Sequence, residues 1–224
     1  MCGRIAQSDP SRYAQRLEAI LDPAPEWKPS WNVGPTAEVL GVRDRHGTRH
    51  LSPFLWGLLP GWCDDPKVAN RSFNARAESV ATKPMFRHAF HKRRLLVPVD
   101  GFYEWAHVPD AARKQPFFFQ RADGDPVVLA GLWEWWERDG DERRTATVIT
   151  CAAGPDMPVH DRQPVVLEPA TWQRWLDPEF GDQAALKAML RARGGVLVRH
   201  PVSREVGSVR NDGPQLVEPV AVAG

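Results

Sequence analysis

The sequence predicts an α+β fold, read as one β-rich domain over residues 1–224. Its sheet is expected to be curved, barrel-like and mostly antiparallel, with flanking helices and a flexible tail in the last few residues. Three observations lead there. The 21 prolines and 17 glycines are spread along all 224 residues and cut the chain into short elements. Short apolar runs of strand composition outnumber amphipathic stretches. Strands and helices do not alternate strictly, which argues against a doubly wound parallel sheet.

In chain order, Ser8-Asp9-Pro10 reads as a helix start, and Tyr13, Leu17, Ile20 and Leu21 then recur at helical spacing until Pro23 and Pro25. Strands are expected over 38–42, 51–58, 95–99, 116–120, 127–132, 146–151, 165–167 and 196–198. Helices are expected over 85–92, 169–176 and 182–191. No internal repeat or low-complexity tract divides the chain.

Composition narrows the function classes. No apolar run is long enough for a membrane-spanning helix, and the N-terminus lacks a basic-then-apolar signal, so a cytoplasmic protein is expected. The net charge of +1 argues against a polybasic coat for nucleic acid but allows a local basic cleft. The three cysteines, Cys2, Cys63 and Cys151, fit neither a disulfide framework nor a zinc module. His88 and His91 share a helix face without a third ligand, so no metal and no cofactor are expected. His91-Lys92-Arg93-Arg94 reads as a solvated face, with contact to a DNA backbone as the alternative. The reading also takes the protein as a monomer.

Cys2 carries the sharpest chemistry. If Met1 is removed, Cys2 gains a free α-amine beside its thiol. An α-amine titrates at about 7.7–8.0, so part of it is unprotonated at neutral pH. Such a 1,2-aminothiol can condense with an aldehyde to an imine and close a thiazolidine ring. Alternatively the thiol can attack an amide with the amine as base. Position alone leaves both open, along with a cysteine that merely follows the start.

Four blocks accompany it: Met1-Cys2-Gly3-Arg4, Ser72-Phe73-Asn74-Ala75-Arg76-Ala77-Glu78, Asp100-Gly101-Phe102-Tyr103-Glu104-Trp105 and His160-Asp161-Arg162. With Trp56-Gly57, Pro60-Gly61-Trp62, Gln115-Pro116-Phe117-Phe118 and His200-Pro201-Val202-Ser203, the chain resembles the SOS-response-associated peptidase family nearly end to end. The resemblance implies a single β-rich domain that recognises abasic sites in single-stranded DNA and links to them covalently through Cys2. Lyase activity and a self-processing peptidase step are further implications, as is association with the nucleoid when damaged DNA is bound. The chain departs from the family pattern at Gln163 and Cys63, neither of which is a proposed catalytic residue.

The resemblance makes Cys2, Asn74, Glu104 and His160 the catalytic set. Glu104 lies among Phe102, Tyr103 and Trp105, and apolar surroundings raise a carboxyl pKa into the range of a general acid or base; a solvent-facing strand-end carboxylate is the alternative. His160 would stabilise the opened sugar and move protons. Asn74 would orient the Cys2 amine or a sugar hydroxyl, or cap a helix. Arg4, Arg76 and Arg162 are candidate phosphate forks and Trp62 a base-stacking platform, whereas Trp133, Trp135 and Trp136 are assigned to core or rim. Two other classes stay open: an N-terminal-nucleophile amidohydrolase, and a non-enzymatic single-stranded DNA-binding module.

Overall fold

The computed structural model describes residues 2–107 and 113–221. Met1 and the final three residues of the expected tail lie outside the described residues. The strands are β1 (Ile5–Gln7), β2 (Ile20–Leu21), β3 (Ser30–Val33), β4 (Glu38–Arg45), β5 (Thr48–Trp56), β6 (Asn74–Arg76), β7 (Arg94–Val99), β8 (Gly101–Ala106), β9 (Gln115–Arg121), β10 (Val127–Arg138), β11 (Asp141–Ala152), β12 (Arg162–Pro164) and β13 (Leu197–Pro201). The helices are α1 (Pro10–Arg16), α2 (Pro84–Lys92), α3 (Pro169–Leu176) and α4 (Gln183–Met189). Among the described residues no helix is long and apolar enough to cross a membrane.

Five strands close a barrel in the order β11-β10-β7-β4-β5, and the parallel pairing of Leu55 with Thr145 and Trp56 with Ala146 shuts it. Side chains alternate across each strand, so one set fills the interior: Val39, Phe54, Trp56, Leu95, Val97, Leu129, Ala146 and Val148. Gly41 faces inward among them, where a Cβ would come within 2.7 Å of the Leu95 side chain. The outward set, including Leu40, Val42, Leu51 and Leu96, packs against Tyr13 of α1, Phe90 of α2, Trp175 of α3 and Leu186 of α4.

A second, antiparallel sheet runs β13-β9-β8-β1-β3. One face, with Ile5, Phe102 and Phe119, joins the barrel core. The other face, with Tyr103 and Phe118, is covered by Val206 and Leu216 of a C-terminal strap containing the 3-10 turns Arg204–Gly207 and Pro214–Val217. Gln7 of β1 stitches the two sheets together. β4 and β7 pair only at Val42 and Leu96. The buried Gln7 side chain bridges the parted strands, donating to the carbonyls of Leu40 (3.0 Å) and Pro98 (2.6 Å) and accepting from Leu40 N–H (2.8 Å).

The predicted α+β, strand-rich and barrel-like architecture is the one observed, with three local corrections. The first helix ends at Arg16, because Glu18 takes a left-handed backbone (φ 50°); Ile20 and Leu21 instead pair with β5 as an exposed strand. Residues 165–167 follow β12 and fill the wedge where β10 and β11 diverge, Val165 bonding to Ile149 and Ala130, and Leu167 to Val128. Arg94 is not on a solvated face. It is buried, and its guanidinium donates to the carbonyls of Phe90, His91, Trp175, Asp177 and Phe180, fastening the ends of α2 and α3 to β7. Arg93 pairs with the buried Glu134.

Candidate active site

β11 is the spine of the site. Beyond the point where β10 leaves it, β6 pairs with one edge at Val148–Thr150 and β12 with the other at Thr150–Ala152. Asn74 and Arg76 therefore enter from β6, and Arg162 from β12. Asn74 sits in a strand, which corrects its reading as a helix cap. Its Nδ2 donates to the Cys2 carbonyl at 2.6 Å. Among the described residues its Oδ1 is buried and without a hydrogen-bond partner, which leaves an acceptor for a ligand.

Cys2 is fully buried in the same apolar cluster as Ile5, Phe102 and Met157. Burial pushes its thiol pKa well above the ordinary value, and the negative charge of Glu104 pushes further. Glu104 is on β8, two residues after Phe102 and on the same face, with 4% of its surface exposed. Burial raises its carboxyl pKa, while His160 pulls it back toward the ordinary range. Cys2, Glu104 and His160 thus share one electrostatic neighbourhood, although they are up to 158 residues apart in sequence.

His160 closes the loop between β11 and β12. Its Nδ1 lies 3.0 Å from the Arg162 N–H and 2.6 Å from Asp161 Oδ1. The amide needs a bare Nδ1 and the carboxylate needs a protonated one, so the ring keeps a partner in either state. The loop is anchored from behind by Asp156, whose carboxylate accepts the N–H groups of Gly195, Val196 and Leu197.

The proposed phosphate ligands differ from one another. Arg76 is exposed beside Thr150. Arg162 forms a two-pronged pair with Glu78, at 3.1 and 3.0 Å, and donates to the Thr150 carbonyl. This pairing holds the Glu78 carboxyl below its usual range. Arg4 turns to the strap, donating from Nη1 to Asn32 Oδ1 and the Val206 carbonyl, both at 2.6 Å, with its guanidinium over Trp105. Trp62 is 59% exposed on a turn beside β10. The structure thus gathers Cys2, Asn74, Glu104, His160, Arg76 and Arg162 and gives Arg4 a structural partner set. Sequence reasoning assigned no role to Glu78, Asn32 or Asp156. Glu78 was visible in its motif, but nothing in the sequence signals a fork across 84 residues. His88 and His91 turn to Glu134 and Gln183 respectively.

Known proteins are similar to this chain in sequence and fold. The abasic site processing protein YedK of Escherichia coli is 36% identical over 98% of this chain and all of its own length. The abasic site processing protein HMCES of Gallus gallus is 30% identical over 98% of this chain and 78% of its own. A Bacteroides thetaiotaomicron crystal structure shows the same fold, with a TM-score of 0.86, 22% identity and coverage of 98% of this chain and 100% of its own. A phage-related protein of Bordetella bronchiseptica gives a TM-score of 0.69 at 29% identity, covering 91% of this chain and 95% of its own. The model of the SOS response associated peptidase (SRAP) family matches residues 1–209, and the chain belongs to that family.

Proposed function

We propose that this protein processes abasic sites in single-stranded DNA by forming a covalent link through Cys2 once Met1 has been removed. The opened abasic sugar presents an aldehyde. The Cys2 amine adds to it, and loss of water leaves an imine. The thiol then adds to the imine carbon, its proton passes to the nitrogen, and the thiazolidine ring is closed. Glu104 supplies the proton for the departing water and takes part in the final transfer, while His160 serves the opened sugar. Asn74 fixes the Cys2 backbone and offers Oδ1 to the amine or the sugar. Arg76 and Arg162 bind flanking phosphates, and Trp62 stacks on a base. Elimination from the imine would give lyase activity, and exposure of Cys2 would be the peptidase step.

The observation that carries this reading is the convergence on Cys2 of Asn74 through its carbonyl and of Glu104 through its charge. An amidohydrolase would use the same thiol against an amide with the α-amine as base, and incubation with glutamine followed by an ammonia assay separates the two readings.

The test is a denaturing gel of the protein with abasic single-stranded DNA. A heat-stable adduct is expected from the wild type. Cys2→Ala is expected to give only a transient imine through its own amine, trapped by borohydride. A normal yield of untrapped adduct from Cys2→Ala would overturn the mechanism.

A further inference from the structure

Two arginines point into the barrel at the end remote from Cys2. Alternation places Arg43 on the inward face of β4 with Val39 and Gly41, and Arg144 on that of β11 with Ala146 and Val148. Along β11, Arg144 is four residues, about 13 Å, from Val148, which pairs with Asn74. Both guanidinium groups lie on aromatic rings that floor this end. Arg43 is 5.1 Å from the Trp133 ring centre and Arg144 is 5.8 Å from that of Phe54, and the two rings are 6.1 Å apart. Arg93 covers Trp133 as well, but Glu134 neutralises it.

Arg43 and Arg144 have no such counter-ion: neither makes an ion pair among the described residues. The Arg43 Nε is buried without a hydrogen-bond partner among them. Burial draws the Arg43 pKa below its ordinary value, and the charges of Arg144 and Arg45 draw it further, against a weaker pull from Asp22. Two like charges, one carrying an orphaned buried donor, raise the free energy of the fold unless an anion completes them.

We propose that this end of the barrel binds a phosphate group between Arg43 and Arg144. Guanidinium groups held over rings can still direct N–H donors to a tetrahedral anion. The phosphate is either a phosphodiester of the strand held at Cys2 or the terminal group of a free nucleotide. The rim supplies faces for bases: Trp135, opposite Arg144 in the β10–β11 ladder, is 43% exposed, and the Trp62 turn approaches its backbone.

The double variant Arg43→Gln/Arg144→Gln relieves the repulsion, so its Tm in phosphate-free buffer is expected to match or exceed the wild type's. Arg144→Gln alone carries the same readouts if the double variant does not fold. Two measurements follow: Tm against pyrophosphate, and affinity for single-stranded DNA against salt. A salt slope lower by about one to two units in the variant supports the site and assigns it to the strand. An unchanged slope, with a pyrophosphate-dependent rise in Tm seen only in the wild type, supports the site and assigns it to a free nucleotide. An unchanged slope together with identical responses to pyrophosphate overturns the proposal. Adduct formation on a short abasic oligonucleotide is expected to be the same in both proteins, so failure of the Cys2 chemistry reads out separately.

Discussion

Burial gives Glu104 a cost and a use at once. Its carboxyl holds a proton more tightly in the folded chain than in the unfolded one, because burial opposes the charge. With the folded pKa above the unfolded value, stability is full at low pH and falls as pH rises through that interval. Glu104→Gln removes this penalty. The variant is therefore expected to melt higher than the wild type at neutral pH, with the difference vanishing below the ordinary carboxylate range. Its adduct formation is expected to slow by about 10²–10⁴-fold and to lose one limb of the pH–rate profile. Thermal scans and single-turnover crosslinking from pH 4 to 9 measure both. Wild-type rates would leave Glu104 a structural carboxylate, and an unchanged melting temperature at every pH would remove the assigned effect of burial.

Strand pairings across long sequence separations decide what the residues can do. β6 and β12 flank one stretch of β11, and the fork between Arg162 and Glu78 spans them. A phosphate reaching Arg162 must displace Glu78 or share the guanidinium with it. Glu78→Gln is therefore expected to strengthen single-stranded DNA binding several-fold. Arg162→Ala is expected to weaken it and to lower the salt slope by about one unit. Equal affinities in fluorescence-anisotropy titrations would take Arg162 out of the interface. Arg94 is the corresponding device for helices. Burial lowers its pKa to about 10, so it remains charged at neutral pH while serving five carbonyls. Arg94→Met would leave those acceptors unsatisfied, at a cost of about 3–5 kcal/mol. For a chain of this size that lowers Tm by roughly 6–20 °C, and a fall of under 2 °C would deny Arg94 this role.

Much of this was legible in sequence, and the remainder failed for physical reasons. The helix at 169–176 and the apolar cores of β4, β5, β7, β9, β10 and β11 could be read from periodicity and β-branched content. Cys2 drew attention by its position, whereas Glu104 and His160 were proposed because the blocks that carry them resemble the family's. β1 and β6, each three residues long, carry no periodic signal and are strands only because distant partners pair with them. Arg94 looked solvated because a run of four basic residues gives no sign that one of them turns inward beneath two helix ends. The parallel closure at Leu55 and Thr145 joins residues 90 apart, and no local pattern encodes it.

At the scale of the molecule, the chain ends are tied to each other. Asn32 receives Arg4 and donates to the carbonyls of Ser208 and Asn211, while Asp212 accepts from Trp31 N–H. The match to the family model stops at residue 209, but the strap continues to cover the second sheet through Leu216. Asn32→Ala is expected to lower Tm by about 3–8 °C through the lost strap contacts. It is also expected to slow adduct formation more than it weakens DNA affinity, because Arg4 lies two residues from Cys2, the proposed nucleophile. Equal losses in rate and affinity would mean that Asn32 does not position Cys2.

The bond from Arg4 to Val206 closes a loop of 202 residues. During synthesis the first residues leave the ribosome long before the strap exists, so Arg4 then lacks its Val206 acceptor and Asn32 lacks its strap partners. The sheet that carries Glu104 likewise lacks its edge strand β13 until residue 201 has emerged. Contacts of such separation form late in folding. Under the proposed mechanism, a nascent chain therefore carries Cys2 without the neighbouring groups that would position it on DNA. On the proposed mechanism, the assembled site is complete only once residues 197–206 have emerged and paired.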